Sequence, residues 1–122
     1  NMTHNQKGKG YLEVQKIDLF HMQQYAYVLK RMKEIKESDG SSMLDNSLVT
    51  YGAALGDGST HQYYDLPMIV AGRGQGQVNQ GRFIQCKSGT LNSNLWLSVA
   101  KLMGLEIESF ADSTGLISDM WA

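Results

Sequence analysis

Leu48-Val49-Thr50-Tyr51 and Leu66-Pro67-Met68-Ile69-Val70-Ala71 are two short apolar runs separated by a link of about 15 residues. Each is an uninterrupted β-prone segment, the pattern of strands covered on both faces in an α/β protein. Pro67 is compatible with the start of a strand, where no ladder hydrogen bond is asked of it. The link has no helical periodicity. Parallel neighbours need a long crossover, usually helical, so the two strands are expected to pair antiparallel within a mixed sheet.

Upstream lies the clearest helical signal, over about Leu12 to Glu37. Val14, Ile17, His21, Tyr25, Val28, Met32 and Ile35 recur at three- and four-residue steps, and such a spacing stacks side chains on one face. Lys16, Lys30, Lys33, Glu34 and Glu37 take the other side. At 1.5 Å per residue the rod is roughly 38 Å long, with Asp39-Gly40 as its expected stop. His21 is expected to be a hydrogen-bonded core histidine on the apolar face. Downstream, Gln77-Val78 and Arg82-Phe83-Ile84 flank Asn79-Gln80-Gly81 and read as a small hairpin. A second helix is expected over about Ser93 to Met103, capped by Asn92 or Ser93 and stopped by Gly104. The fold class is therefore α/β, with helices packed on a small mixed sheet, and residues 1–122 form a single domain.

Composition narrows the function. The 122 residues carry 11 basic and 12 acidic side chains for a net charge of −1. That leaves no basic excess to replace phosphate counterions, so nucleic acid is not an expected partner. No apolar run approaches the roughly 20 residues of a membrane span. The single cysteine, Cys86, rules out an internal disulfide or a multi-cysteine zinc site. With no histidine or basic partner close in sequence, Cys86 is expected to be a buried or inert thiol. No Gly-x-Ser-x-Gly elbow is present.

One compact ligand-like cluster stands out: Asp57, His61 and Asp65. Two carboxylates and an imidazole on a loop leaving a strand end are the groups that hold a divalent metal or position a water for attack on an ester. A polar turn is the competing reading. Gly72-Arg73-Gly74-Gln75-Gly76 invites a phosphate-loop reading, because close glycines let backbone N–H groups approach an anion. It lacks the following Lys-Ser/Thr and helix, so an irregular exit from a strand is preferred.

Three segments carry a resemblance: Leu44-Asp45-Asn46-Ser47-Leu48-Val49-Thr50-Tyr51-Gly52, Leu66 to Gly74, and Phe110-Ala111-Asp112-Ser113-Thr114-Gly115. They resemble the C-terminal portion of the bacterial proteins grouped as domain of unknown function fifteen-fifty-two, and Thr3-His4-Asn5 resembles the end of a His-rich stretch in that family. That family is in turn similar to the alkaline phosphatase, sulfatase and phosphoglycerate mutase superfamily. The resemblance implies a three-layer α/β/α fold with a mixed sheet, a secreted or periplasmic location, and an upstream part of the same protein as partner. It also implies either a metal-dependent phosphate- or sulfate-ester hydrolase in the intact protein or a non-catalytic envelope or binding protein. The chain departs from the superfamily where an Asp-His metal motif would follow the strand, since Ala53-Ala54-Leu55-Gly56 stands there. Two expectations follow: the piece catalyses nothing by itself, and it self-associates as a homo-oligomer through the first helix, the edge strand or an exchange of elements between copies, with Tyr25, Val28, Leu29 and Met32 as the expected contact.

Overall fold

A computed structural model describes residues 9–122. Its elements are α1 (Lys9–Glu34), β1 (Val49–Gly52), β2 (Met68–Ala71) and α2 (Asn92–Leu102), with a short 3-10 turn at Ser118–Met120. The fold is α/β. β1 and β2 form a two-stranded antiparallel sheet, with Val49 opposite Ala71 and Gly52 opposite Met68. The pairing direction is the one that the short, non-helical link requires.

α1 ends three residues before the expected Glu37. Beyond Glu34 the chain turns back on the helix: the Met43 N–H donates to the Ile35 carbonyl at 3.0 Å and the Leu44 N–H to the Met32 carbonyl at 3.2 Å. Gly40, at φ +84°, serves this reversal rather than a helix cap. The Asp39 carboxylate secures it by accepting from the Ser41 N–H at 2.9 Å and the Ser41 hydroxyl at 2.6 Å.

The docked face of α1 differs from the expected stripe. Tyr25, Leu29 and Met32 are half-buried, whereas Ile17, Val28 and Ile35 are 38%, 45% and 41% exposed. Contact is concentrated in the C-terminal half of the helix. There the Tyr25 hydroxyl donates to the Val49 carbonyl at 2.8 Å, and its ring lies 5.2 Å from that of Tyr51. His21, expected in the core, is exposed beside Phe20. The reason is the same: the sheet beneath α1 is only two strands wide and does not reach the first half of the rod.

The hydrophobic core gathers on α2. Val78, Leu95, Leu102 and Met120 are buried together, and Leu48, Met68, Val70, Ile84, Val99, Ile117 and Trp121 pack around them. Apolar residues four and seven apart on α2 (Leu95, Val99, Leu102) make the face that meets this cluster. Gly104 ends the helix as expected, at φ +83°, with its N–H on the Lys101 carbonyl and the Leu105 N–H on the Ala100 carbonyl. The start differs. Leu91 occupies the N-cap position with no side-chain cap bond, in place of Asn92 or Ser93.

The hairpin expected around Asn79-Gln80-Gly81 does not form. Val78 instead bridges Trp121 antiparallel: the Asn79 N–H donates to the Met120 carbonyl at 3.1 Å and the Ala122 N–H to the Gln77 carbonyl at 2.9 Å. The bridge brings Val78 and Met120 into the core with Trp121 packed against it, and Phe83 stays outside. Phe83 is 91% exposed.

These contacts rank the side chains. Leu102→Ala, at 2% exposure, is expected to lower unfolding free energy by about 2–5 kcal/mol, read by chemical denaturation. Phe83→Ala is expected to fall within about 0.5 kcal/mol of the parent.

Candidate functional site

The loop between the strands was the strongest sequence candidate, and its geometry is that of a tight polar turn. The Gly56 N–H donates to the Gln62 carbonyl at 2.7 Å and the Gln62 N–H to the Asp57 carbonyl at 3.0 Å. Asp57 Oδ1 accepts from the Ser59 N–H at 2.7 Å and the Thr60 N–H at 3.4 Å. Those backbone donors favour the charged carboxylate and hold Asp57 below its ordinary pKa. His61 and Asp65 both take left-handed backbone, at φ +55° and +53°. A carboxylate closing its own turn and two chain reversals do not deliver three side chains to one point. Among the described residues no three His, Cys, Asp or Glu side chains form a group able to hold a metal ion. Asp57, His61 and Asp65 accordingly form no such three-residue group. Thr3-His4-Asn5 lies outside the described residues. Cys86 is exposed rather than buried.

The glycine-rich stretch is equally committed to the fold. The Arg73 N–H donates to the Leu44 carbonyl at 3.3 Å, the Gly74 N–H to the Ser47 carbonyl at 3.2 Å, and the Gln75 N–H to the Asp45 carbonyl at 2.8 Å. The donors that a phosphate loop would aim at an anion are used by the segment 44–47. The first two segments of the family resemblance thus pack against each other.

Their junction forms an open polar basin of about 600 Å³ lined by Asp39, Ser41, Asp45, Asn46, Arg73, Gln75 and Gly76. Asp45 Oδ2 accepts from the Ser42 hydroxyl at 2.7 Å and the Ser42 N–H at 3.0 Å. These bonds, with a smaller contribution from the Arg73 charge, hold its carboxyl below the ordinary range. Asp39 is lowered in the same way by Ser41. The Ser41 hydroxyl donates to Asp39 and accepts from Asn46 Nδ2 at 2.7 Å. No histidine or cysteine lines the basin; its titratable side chains are Asp39, Asp45 and Arg73. The arrangement suits hydrogen bonding to a polar group.

The third resemblance segment is a clasp on α2. The Thr114 N–H donates to Asn94 Oδ1 at 2.8 Å, and Asn94 Nδ2 to the Thr114 hydroxyl at 3.3 Å. One turn on, the Ser98 hydroxyl accepts from the Ile117 N–H at 2.8 Å and donates to the Asn94 carbonyl at 2.7 Å. Asn94 and Ser98 belong to no sequence motif. Their signal was legible, since polar residues four apart beside the apolar stripe of a short helix suit buried hydrogen bonding.

Two outcomes are expected. Calorimetry with Zn²⁺ or Mn²⁺ should show no tight stoichiometric binding that His61→Ala abolishes. The lowered carboxylates stabilise the fold above their unfolded pKa, and that contribution is lost as pH falls through the folded values. Asp45→Asn should therefore flatten the acid limb of a stability–pH profile while leaving its neutral-to-basic limb parallel to the parent's. No family model matches the chain, and neither a curated protein nor a solved structure matches it.

Proposed function

We propose that this chain is one part of a larger secreted or periplasmic α/β protein with the three-layer arrangement and mixed sheet of the alkaline-phosphatase-like fold, and that it performs no catalysis by itself. The observation that carries this reading is the state of the sheet. Its two faces meet different helices. Tyr51 packs on Tyr25 of α1, while Met68 and Val70 join the cluster containing Leu95 and Leu102 of α2. Among the described residues its two edges meet no strand. The Ala53 N–H bonded to the Pro67 carbonyl at 3.3 Å continues the ladder. By the alternation of antiparallel pairing, Thr50 and Gly52 then turn their backbone groups to one outer edge, and Met68 and Val70 turn theirs to the other. Among the described residues no backbone partner meets them. A lone two-stranded ribbon is marginal in water, and open edges are templates for further strands. Strands from the same larger protein are the occupants that this reading assigns.

Between an ester hydrolase and a non-catalytic envelope or binding protein, the second is favoured. Ala53-Ala54 replaces the strand-end metal motif, and Asp57, His61 and Asp65 form no metal-holding group. The polar basin at Arg73 offers hydrogen-bonding groups for recognition and contains no histidine or cysteine.

Hydrogen exchange tests the edges. The amides of Tyr51 and Ile69, which face the partner strand, should exchange more slowly than those of Thr50 and Val70. Equal protection at Thr50 and Val70 would mean that the edges are already covered. Aryl phosphate and aryl sulfate esters should be hydrolysed no faster than in buffer. Turnover that falls in Asp57→Ala or His61→Ala would overturn the non-catalytic reading.

A further inference from the structure

We infer that α1 is a self-recognition element, pairing antiparallel with α1 of a second copy through a stripe that its own fold leaves open. Packing within the chain uses Tyr25, Leu29 and Met32. At 3.6 residues per turn, a second row of Glu13, Ile17, Phe20, Gln24, Tyr27 and Arg31 lies roughly 120° around the helix from that face. Ile17 is 38%, Phe20 55% and Tyr27 60% exposed, and the steps alternate between three and four residues, as in a helix–helix seam. Because the row is turned away from the docked face, widening the sheet under α1 would not cover it.

The choice of a second copy rests on charge. Glu13 sits at one end of the row and Arg31 at the other, each about half-exposed and, among the described residues, each in an i,i+3 surface pair with Lys16 or Glu34. A two-fold axis through the row between Phe20 and Gln24 sets Glu13 of one copy opposite Arg31 of the other, twice over. Ile17 is set opposite Tyr27, and Phe20 opposite Gln24. A parallel pair would place Glu13 against Glu13 and Arg31 against Arg31, which like-charge repulsion disfavours. The row is therefore complementary to itself in one orientation, which is the requirement for a closed dimer. A helix of 26 residues spans roughly 39 Å. Pairing along it gives an area at the lower end of stable interfaces, so the association is expected to be concentration-dependent. This inference is separate from the reading of the sheet edges, because its contacts lie on α1 alone.

Sedimentation equilibrium from about 1 to 200 µM tests it. The parent chain should move from its 13.6 kDa mass towards twice that value. Glu13→Arg and Phe20→Glu should each weaken the dimer about tenfold or more. The double reversal Glu13→Arg with Arg31→Glu should restore it, and Phe83→Glu, away from α1, should leave it unchanged. Far-UV circular dichroism confirms that the variants keep their helix. A parent that stays monomeric throughout the range overturns the inference. So does a dimer indifferent to Glu13→Arg and Phe20→Glu, or one that the double reversal does not restore.

Discussion

Three backbone N–H groups, on Arg73, Gly74 and Gln75, close onto the carbonyls of Leu44, Ser47 and Asp45, and the rest of the structure hangs from that junction. It joins the exit of β2 to the entry of β1, and so fixes their register from one end. Close approach is possible because Gly72 has no side chain: a Cβ there would collide with the Ser47 carbonyl. Gly72, Gly74, Gln75 and Gly76 all adopt positive φ, a path that glycine follows without steric cost. The loop then delivers Val78 to the core. Gln77 Nε2 ties it to α2 by donating to the Leu102 carbonyl at 3.2 Å and the Gly74 carbonyl at 3.1 Å.

From this junction the molecule divides unequally. On the α2 side, apolar burial and polar satisfaction coincide. Leu95 and Leu102 fill the core while Asn94 and Ser98, on an adjoining face, hold the segment from Thr114 to Ile117. Ser98 is fully buried, and its hydroxyl both donates and accepts, so its burial carries no unmet hydrogen bond. On the α1 side a long helix rests on a narrow ribbon through one hydroxyl, one aromatic pair and a few half-buried side chains. The contrast places the densest packing on α2 and leaves much of α1 exposed.

The same economy shows in the loops, where the polar side chains and glycines make turn and loop hydrogen bonds. Asp57 closes the turn that contains His61, the glycine stretch spends its donors on neighbouring carbonyls, and Asp39 and Asp45 fasten the reversal after α1. Aspartate and glycine are the residues with which tight turns are built, for the side-chain acceptor and the positive φ they bring. A polar loop rich in them resembles a site in sequence whether it binds a ligand or only itself.

Local pattern was enough to determine the two helices, the stop at Gly104, the two strands and their antiparallel sense. Each follows from periodicity, a glycine position or the length of a link, which are properties of neighbouring residues. Tertiary structure alone decided which side of α1 is buried, because apolar residues surround that helix and only the width of the ribbon selects Tyr25, Leu29 and Met32 over Ile17 and Val28. It alone decided that Val78 pairs with Trp121 across more than forty positions instead of folding into a hairpin. It alone decided that Asp57, His61 and Asp65 form no three-residue ligand group, since proximity in sequence sets no direction for a side chain once the backbone turns left-handed at His61 and Asp65. Neighbouring residues fix what an element is, whereas burial between distant segments fixes which way it faces.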